Sequence, residues 1–422
     1  MNTIEFSGGK AEGCVTPPSS KSFTHRAIIL ASLANGISTV RRPLISFDTK
    51  ATMEAMKSMG ADITVVNGDL KIKSGQLHAP ERTIDVCNSG TTLRLLTGIA
   101  STFDSEVTLT GDESIRKRPM GPLLESLSRN GVVCGSNNGK PPVTVKGPLS
   151  GGDMEIDGSM SSQFVSSLMI SSPLAHMPSD IRIKGNFVSK PYADITMSMM
   201  RHFGADIEET GYGYHVRNVP YRSADYTVPS DYSSAAFPLV AGALGGKVTV
   251  CNMDPDSKQG DRKIMDILRR AGMEITIDGD RVTCERTGRP RSIDVDMSDI
   301  PDLFPIVSVL LSTANGRSRL YGAPHLRFKE SDRIELTTDM ISSLGGRIVG
   351  TDDGCIIDGV SMLSGGKIRH EGDHRMMMSA AVASLICEQP VVMDDDSCWN
   401  VSYPGFVEQM MSLGMRCDRC IQ

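Results

Sequence analysis

Aromatic side chains are scarce in this chain: they make up 5% of 422 residues, with a single tryptophan. A basic surplus is also missing, since 44 Lys and Arg face 50 Asp and Glu, for a formal charge of −6. A dedicated nucleic-acid binder needs a basic stripe and often stacking aromatics, so that class is excluded. Any anion bound here has to be held by local clusters, because the whole-molecule field is of the wrong sign. No run of about 18 apolar residues occurs, so no membrane-spanning helix is expected. The N-terminal "MNTIEFSGGKAEG" has neither a charged n-region nor an apolar h-region, and the expected setting is cytoplasmic with reduced thiols. Ten cysteines include one C-x-x-C, Cys417 and Cys420 in "CDRC", with no second pair and no nearby histidine. No metal site is therefore expected.

What remains, 39% hydrophobic and 22% charged residues over this length, describes a globular protein of about two or three domains. One pattern organises it: an amphipathic helix, a glycine that stops it, then a β hairpin. Examples are "TMEAMKSMGADITVV", "TMSMMRHFGADIEET" and "LTTDMISSLGGRIVG". The stop glycines Gly60, Gly131, Gly204, Gly272, Gly345 and Gly414 recur in steps of 68 to 73 residues. Glycine ends a helix cheaply because it accepts the left-handed conformation. The regularity implies six copies of one unit. Upstream of each lies a second helix that is apolar on nearly every face, such as "SSKSFTHRAIILASLANG", "SMSSQFVSSLMISSPLA" and "GDHRMMMSAAVASLIC". A helix apolar all round is a buried helix.

The sixth copy ends too soon after Gly414 for its closing strand, and strands near "NTIEF" and "GCVTP" are expected to supply what is missing. The N-terminus then belongs with the C-terminal half. This predicts one three-repeat domain over 21–228 and a second made of 1–20 plus 229–422, with hinges near Ser20 and Pro229.

The chemistry is expected at the N-termini of the buried helices, where free N–H groups and a partial positive charge favour anions. "SSKSFTHR" puts Lys21, Ser22 and Arg26 in the first turns, with Ser22 and Arg26 four apart on one face. "NSGTTLR" brings Asn88, Ser89, Gly90, Thr91 and Arg94; Gly90 leaves room for close backbone approach by a ligand. "SMSSQF" supplies Ser161, Ser162 and Gln163, and "VSKPYAD" adds Ser189 and Tyr192. "SIRKRPMG" places Arg118 before Pro119, read as the first residue of a helix. In the second half stand Asp302, the charged run "HLRFKESDR" (His325 to Arg333), and Asp373–His374–Arg375. Lys329 and Arg333, four apart, are expected to share a helical turn with Glu330 on an adjacent face. Carboxylates among so many cations are where proton-transfer groups are tuned.

In order and combination, "SSKSFTHR", "NSGTTLR", the Arg118–Pro119 pair, "SSQF", "SKPY", "LRFKESDR" and "DHRMMMS" resemble the 5-enolpyruvylshikimate-3-phosphate (EPSP) synthase family over nearly the whole chain. The resemblance implies an α/β fold of two inside-out barrel-like domains, each of three βαβαββ units, with a hinged cleft between them. It implies an enolpyruvyl transferase that moves that group from phosphoenolpyruvate to the 5-hydroxyl of shikimate 3-phosphate through a tetrahedral intermediate. No cofactor or metal is implied, and a monomer is expected. By matching motif, Lys21, Ser22, Arg26, Ser161, Ser162, Gln163, Ser189, Tyr192, Asp302, His325 and Lys329 would contact shikimate 3-phosphate. Lys21, Gly90, Arg118, Gln163, Arg333 and Arg375 would surround phosphoenolpyruvate. Asp302 would take the hydroxyl proton and Glu330 would donate or shuttle one; Lys21, reaching both ligands, would be catalytic with them, and His374 reads as structural.

Two positions depart from the family pattern: Val401 replaces a lysine that contacts phosphoenolpyruvate in many members, and His325 replaces a frequent asparagine. The rival within the fold, a UDP-N-acetylglucosamine enolpyruvyl transferase, carries a reactive cysteine where this chain has Glu113.

Overall fold

The computed structural model describes residues 3–394 and 397–420. The chain divides into two compact units, one of residues 19–228 and one of 1–18 with 229–422. Each has its own apolar core.

The repeat is clearest at its third copy. Strand Gly152–Asp157 runs parallel to Ser179–Lys184, with Met154 opposite Ile181. Parallel neighbours need a long crossover, and helix Ser162–Ser171 provides it. Helix Lys190–His202 follows, and then the antiparallel hairpin Ile207–Thr210 and Gly213–Val216, whose second strand inserts beside Ser179–Lys184. The same four-strand order builds all six sheets among the described residues.

Chain ends complete the ring of repeats in each unit. Strand Tyr226–Thr227 lies parallel to Ile37–Arg41, and strand Ala11–Val15 lies parallel to Gly246–Val250. The sixth copy has only one hairpin strand of its own, Arg416–Cys420; strand Thr3–Ser7 pairs with it and with Val391–Asp394. All six stop glycines have positive φ, between 83° and 103°. A side chain would be strained at each, which is why glycine recurs with the repeat.

The two helices of each copy differ as their sequences require. Helix Gly121–Arg129 buries only Leu123, Leu124, Ser126 and Leu127, one stripe of an amphipathic surface helix. Helix Tyr232–Gly245 buries every residue from Tyr232 to Leu244, and helix Phe304–Leu311 buries all of its residues. Small residues let these inner helices approach closely. The Gly98 amide donates to Ser167 Oγ at 3.1 Å, and that hydroxyl donates to the Arg94 carbonyl at 2.6 Å, joining helix Gly90–Ala100 to Ser162–Ser171.

Candidate active site

In the 19–228 unit, the N-terminal turns of the three inner helices are laced together by polar side chains. Ser20 caps helix Lys21–Leu33 through its extended backbone alone; its buried hydroxyl has no partner among the described residues. Lys21 Nζ reaches Asp48 Oδ2 at 2.8 Å, with both side chains mostly buried. Arg26, 1% exposed, spans helices: Nε donates to Thr196 Oγ1 at 2.7 Å, and its terminal nitrogens donate to the Ser22 and Tyr192 carbonyls and Ser166 Oγ. Burial pulls its pKa down to about 10, so it keeps its charge at neutral pH. Beside it His25 is fully buried, and burial followed by the charges of Lys21 and Arg26 holds it well below the usual histidine range. The neutral ring bonds Thr52 Oγ1 at 2.7 Å, and a hydroxyl chain continues through Thr92 to Ser89, the cap of helix Gly90–Ala100.

Arg94 donates to Gln163 Oε1 at 2.7 Å, and Gln163 Nε2 donates to Thr91 Oγ1 at 2.9 Å. Ser161 caps helix Ser162–Ser171 by accepting from the Gln163 amide. Ser189 sits in the left-handed region at φ 55°, with its buried hydroxyl unpartnered among the described residues.

At Gly90 the space a side chain would fill is taken by Arg118: a β-carbon there would collide with that guanidinium. One sequence reading changes here. Pro119 does not open a helix. Arg116 and Lys117 finish the short helix Glu113–Lys117, Arg118 caps it in extended conformation, and the next helix starts at Gly121 with Pro122 in its first turn.

The other unit gathers carboxylates. Arg333, 1% exposed, donates to Asp302 Oδ1 at 2.7 Å, Glu330 Oε2 at 2.6 Å and Asp373 Oδ2 at 2.9 Å. Arg375 donates to the other oxygen of Asp302 at 2.8 Å. Asp373 caps helix His374–Ala383 and accepts from Ser331 Oγ. Burial alone would raise the Asp302 pKa; Arg375, Arg333 and Lys329 outweigh it and hold Asp302 well below the usual carboxylate range, against the opposing charge of Glu330. Asp373 is likewise lowered, with Arg333 overcoming burial. His325 is pushed down to about 3 by burial and Lys329, and neither nitrogen of its neutral ring has a partner among the described residues.

The expected helical turn joining Lys329 to Arg333 is absent. Lys329 ends the 3₁₀ turn Pro324–Phe328 in extended conformation, and Asp332 caps a helix that begins only at Arg333. Glu330 and Arg333 still meet, three residues apart, while Arg327 is tied to Asp332 at 2.8 Å as scaffolding.

Sequence reasoning missed a third part of this cluster. Asp231 caps helix Tyr232–Gly245, and Gln259 Nε2 bonds Asp231 Oδ1 at 2.7 Å and Ser233 Oγ at 3.0 Å. Ser233 in turn donates to Asp261. Asp261 is wholly buried, and burial first, then Asp302, raises it to about 7, with Arg375 opposing. Asp48 was missed as well. The signal for Asp231 was available, because "SDYSS" opens the fourth inner helix as the other polar stretches open theirs.

No group of three or more His, Cys, Asp or Glu placed to hold a metal occurs among the described residues. The Cys420 side chain of the tail pair lies outside them. No described helix is long and apolar enough to cross a membrane.

A family model described as EPSP synthase (3-phosphoshikimate 1-carboxyvinyltransferase) matches residues 7–410. This chain belongs to the EPSP synthase family. Among its relatives, a 3-phosphoshikimate 1-carboxyvinyltransferase of Methanocorpusculum labreanum is 47% identical over 412 residues, covering 97% of each chain. One of Nitrosopumilus maritimus is 41% identical, covering 96% of this chain and 97% of that one. A solved structure of EPSP synthase from Acinetobacter baumannii covers both chains fully at 28% identity with a TM-score of 0.82. The α/β fold expected of this family is therefore the fold of this chain.

Proposed function

We propose that this chain transfers the enolpyruvyl group of phosphoenolpyruvate to the 5-hydroxyl of shikimate 3-phosphate, releasing phosphate, as a step of the shikimate pathway toward aromatic amino acids. The observation that carries this reading is Asp302 held by Arg333 and Arg375 with Glu330 on the same arginine, in a chain matched along its length by relatives named for this transfer.

Asp302 takes the proton of the 5-hydroxyl as that oxygen attacks C2 of phosphoenolpyruvate, while Glu330 protonates the methylene carbon. The tetrahedral ketal phosphate that results loses a methyl proton and expels phosphate, restoring the double bond. In the free protein Asp302 is too well stabilised as an anion to be a strong base. The carboxylate and phosphate of phosphoenolpyruvate compete for Arg333 and Arg375, and each hydrogen bond they divert raises the basicity of Asp302.

In the 19–228 unit, Lys21, Ser22, Arg26, Ser161, Ser162, Gln163, Ser189 and Tyr192 take shikimate 3-phosphate, and the unpartnered hydroxyl of Ser189 supports that role. Lys21, Gly90, Gln163 and Arg118 also take phosphoenolpyruvate. In the other unit, Asp302, His325 and Lys329 contact shikimate 3-phosphate, and Arg333 and Arg375 contact phosphoenolpyruvate. We take the two units as the functional domains of a cytoplasmic monomer, a state that light scattering checks.

Phosphate release measured with both substrates and with each alone tests the activity: release is expected only with both. Turnover with UDP-N-acetylglucosamine in place of shikimate 3-phosphate would overturn the choice of acceptor.

A further inference from the structure

Two cysteines distant in sequence meet on one sheet. Cys14 lies on strand Ala11–Val15 and Cys251 directly follows strand Gly246–Val250. The parallel ladder sets Thr249 opposite Cys14, so Cys251, two residues on, projects from the same face. Their sulfurs are 2.7 Å apart, within an ångström of the ~2.05 Å of a disulfide bond. Cys14 is exposed and Cys251 partly so, which opens the pair to small reagents. The Arg281 guanidinium donates to Cys14 Sγ at 3.8 Å.

We propose that Cys14 and Cys251 form a redox-active dithiol site that small-molecule disulfides convert to an intramolecular disulfide. The Cys14 thiolate attacks one sulfur of the small disulfide and expels a thiolate, forming a mixed disulfide. Cys251 then loses its proton to solvent, attacks the Cys14 sulfur and releases the second thiolate. The protein dithiol is oxidised by two electrons and the small disulfide is reduced to two thiols. Cys14, the more exposed of the two and the one that Arg281 donates to, is the attacking group; Cys251, whose thiol is pushed up to about 11 by burial, the neighbouring Cys14 and Asp280 against the pull of Arg281, is the resolving one.

The bond would fasten an edge. Strand Ala11–Val15 is the last strand of its sheet and has a single ladder, to Gly246–Val250. Its other ties include the Glu12 amide to the Leu413 carbonyl, the Cys251 amide to the Val15 carbonyl and Gln409 to the Thr16 carbonyl. A cross-link at Cys14 pins this strand shortly before the chain leaves the unit at Pro18.

Glutathione disulfide is the probe. After treatment of the whole protein, peptide mapping is expected to find Cys14 joined to Cys251, with the thermal midpoint raised and restored by dithiothreitol. Cys87, exposed and with no second cysteine in contact among the described residues, is expected to carry only glutathione. In Cys251→Ser, the mixed disulfide on Cys14 is expected to persist and the midpoint to stay unchanged. Glutathione on Cys14 and Cys251 separately in the wild type, or both remaining free thiols while Cys87 reacts, would overturn the proposal. An unmodified Cys14 in Cys251→Ser would overturn the order of attack.

Discussion

In the 19–228 unit, buried guanidinium groups lean on neutral oxygens: Arg26 on Thr196, Ser166 and two carbonyls, Arg94 on Gln163, Arg118 on Asn88. In the other unit they lean on carboxylates, with Arg333 serving Asp302, Glu330 and Asp373, and Arg375 serving Asp302. The scaffold is the same repeat in both, so the difference lies in the side chains at the helix ends. Guanidinium groups backed by neutral oxygens keep their charge for an incoming anion; Lys21, paired with Asp48, departs from this pattern. Cations backed by carboxylates form a balanced network whose proton affinities shift when an anion takes a share of them. On the function proposed above, the first unit chiefly holds shikimate 3-phosphate, and the second adds proton transfer to its hold on phosphoenolpyruvate.

The largest test of that division is Asp302→Asn, which keeps the shape and removes the base. Turnover measured by phosphate release at saturating substrates is expected to fall by about 10³-fold; a loss below tenfold would erase the distinction between the units. On the other side, Arg118→Ala is expected to raise the KM for phosphoenolpyruvate by about 10–100-fold, the worth of one or two hydrogen bonds to a charged group. Steady-state kinetics with that substrate varied would show it.

Asp261 gives the carboxylate-rich unit a pH signature of its own. An acid raised in the folded state keeps its proton where the unfolded chain has lost its own, so its contribution falls away as pH rises. Between the ordinary carboxylate value of about 4 and about 7, Asp261 is expected to cost stability with rising pH, at most about 1.4 kcal/mol per pH unit. Asp302 and Asp373, held low, act in the opposite sense: their contribution is present above the ordinary carboxylate range and is lost as pH falls below it. Asp261→Asn should flatten the slope between these limits and leave the acid-side loss intact, as followed by urea midpoints across pH. A smaller effect is expected of Gly90→Ala, whose β-carbon displaces Arg118 without disturbing the helix: roughly a five- to tenfold rise in the KM for phosphoenolpyruvate, with the thermal midpoint little changed.

The repeat was legible in the sequence because its signals are local. A stop glycine and an all-apolar helix act within a few residues, and both recur in the structure where the spacing put them. The pairings that shape the site are not local. Lys21 finds Asp48, Asp302 finds Arg375, and Asp231 finds Gln259, each through the packing of separate elements. Local rules failed where a cap intervened: Asp332 starts its helix at Arg333, so the four-residue spacing from Lys329 carries no helical meaning. Pro119 was misread for the same reason, because Arg118 ends one helix before the next begins at Gly121.

The central claim is the division of labour between the units, and calorimetric titration of shikimate 3-phosphate into two variants tests it most directly. Asp302→Asn is expected to bind within about tenfold of the wild type, having lost one hydrogen-bonding carboxylate. The double variant Ser161→Ala, Ser189→Ala is expected to bind more weakly by about 10²-fold, having lost two contacts to the phosphate. The reverse order, with the serine variant binding normally and Asp302→Asn failing to bind, would contradict the account.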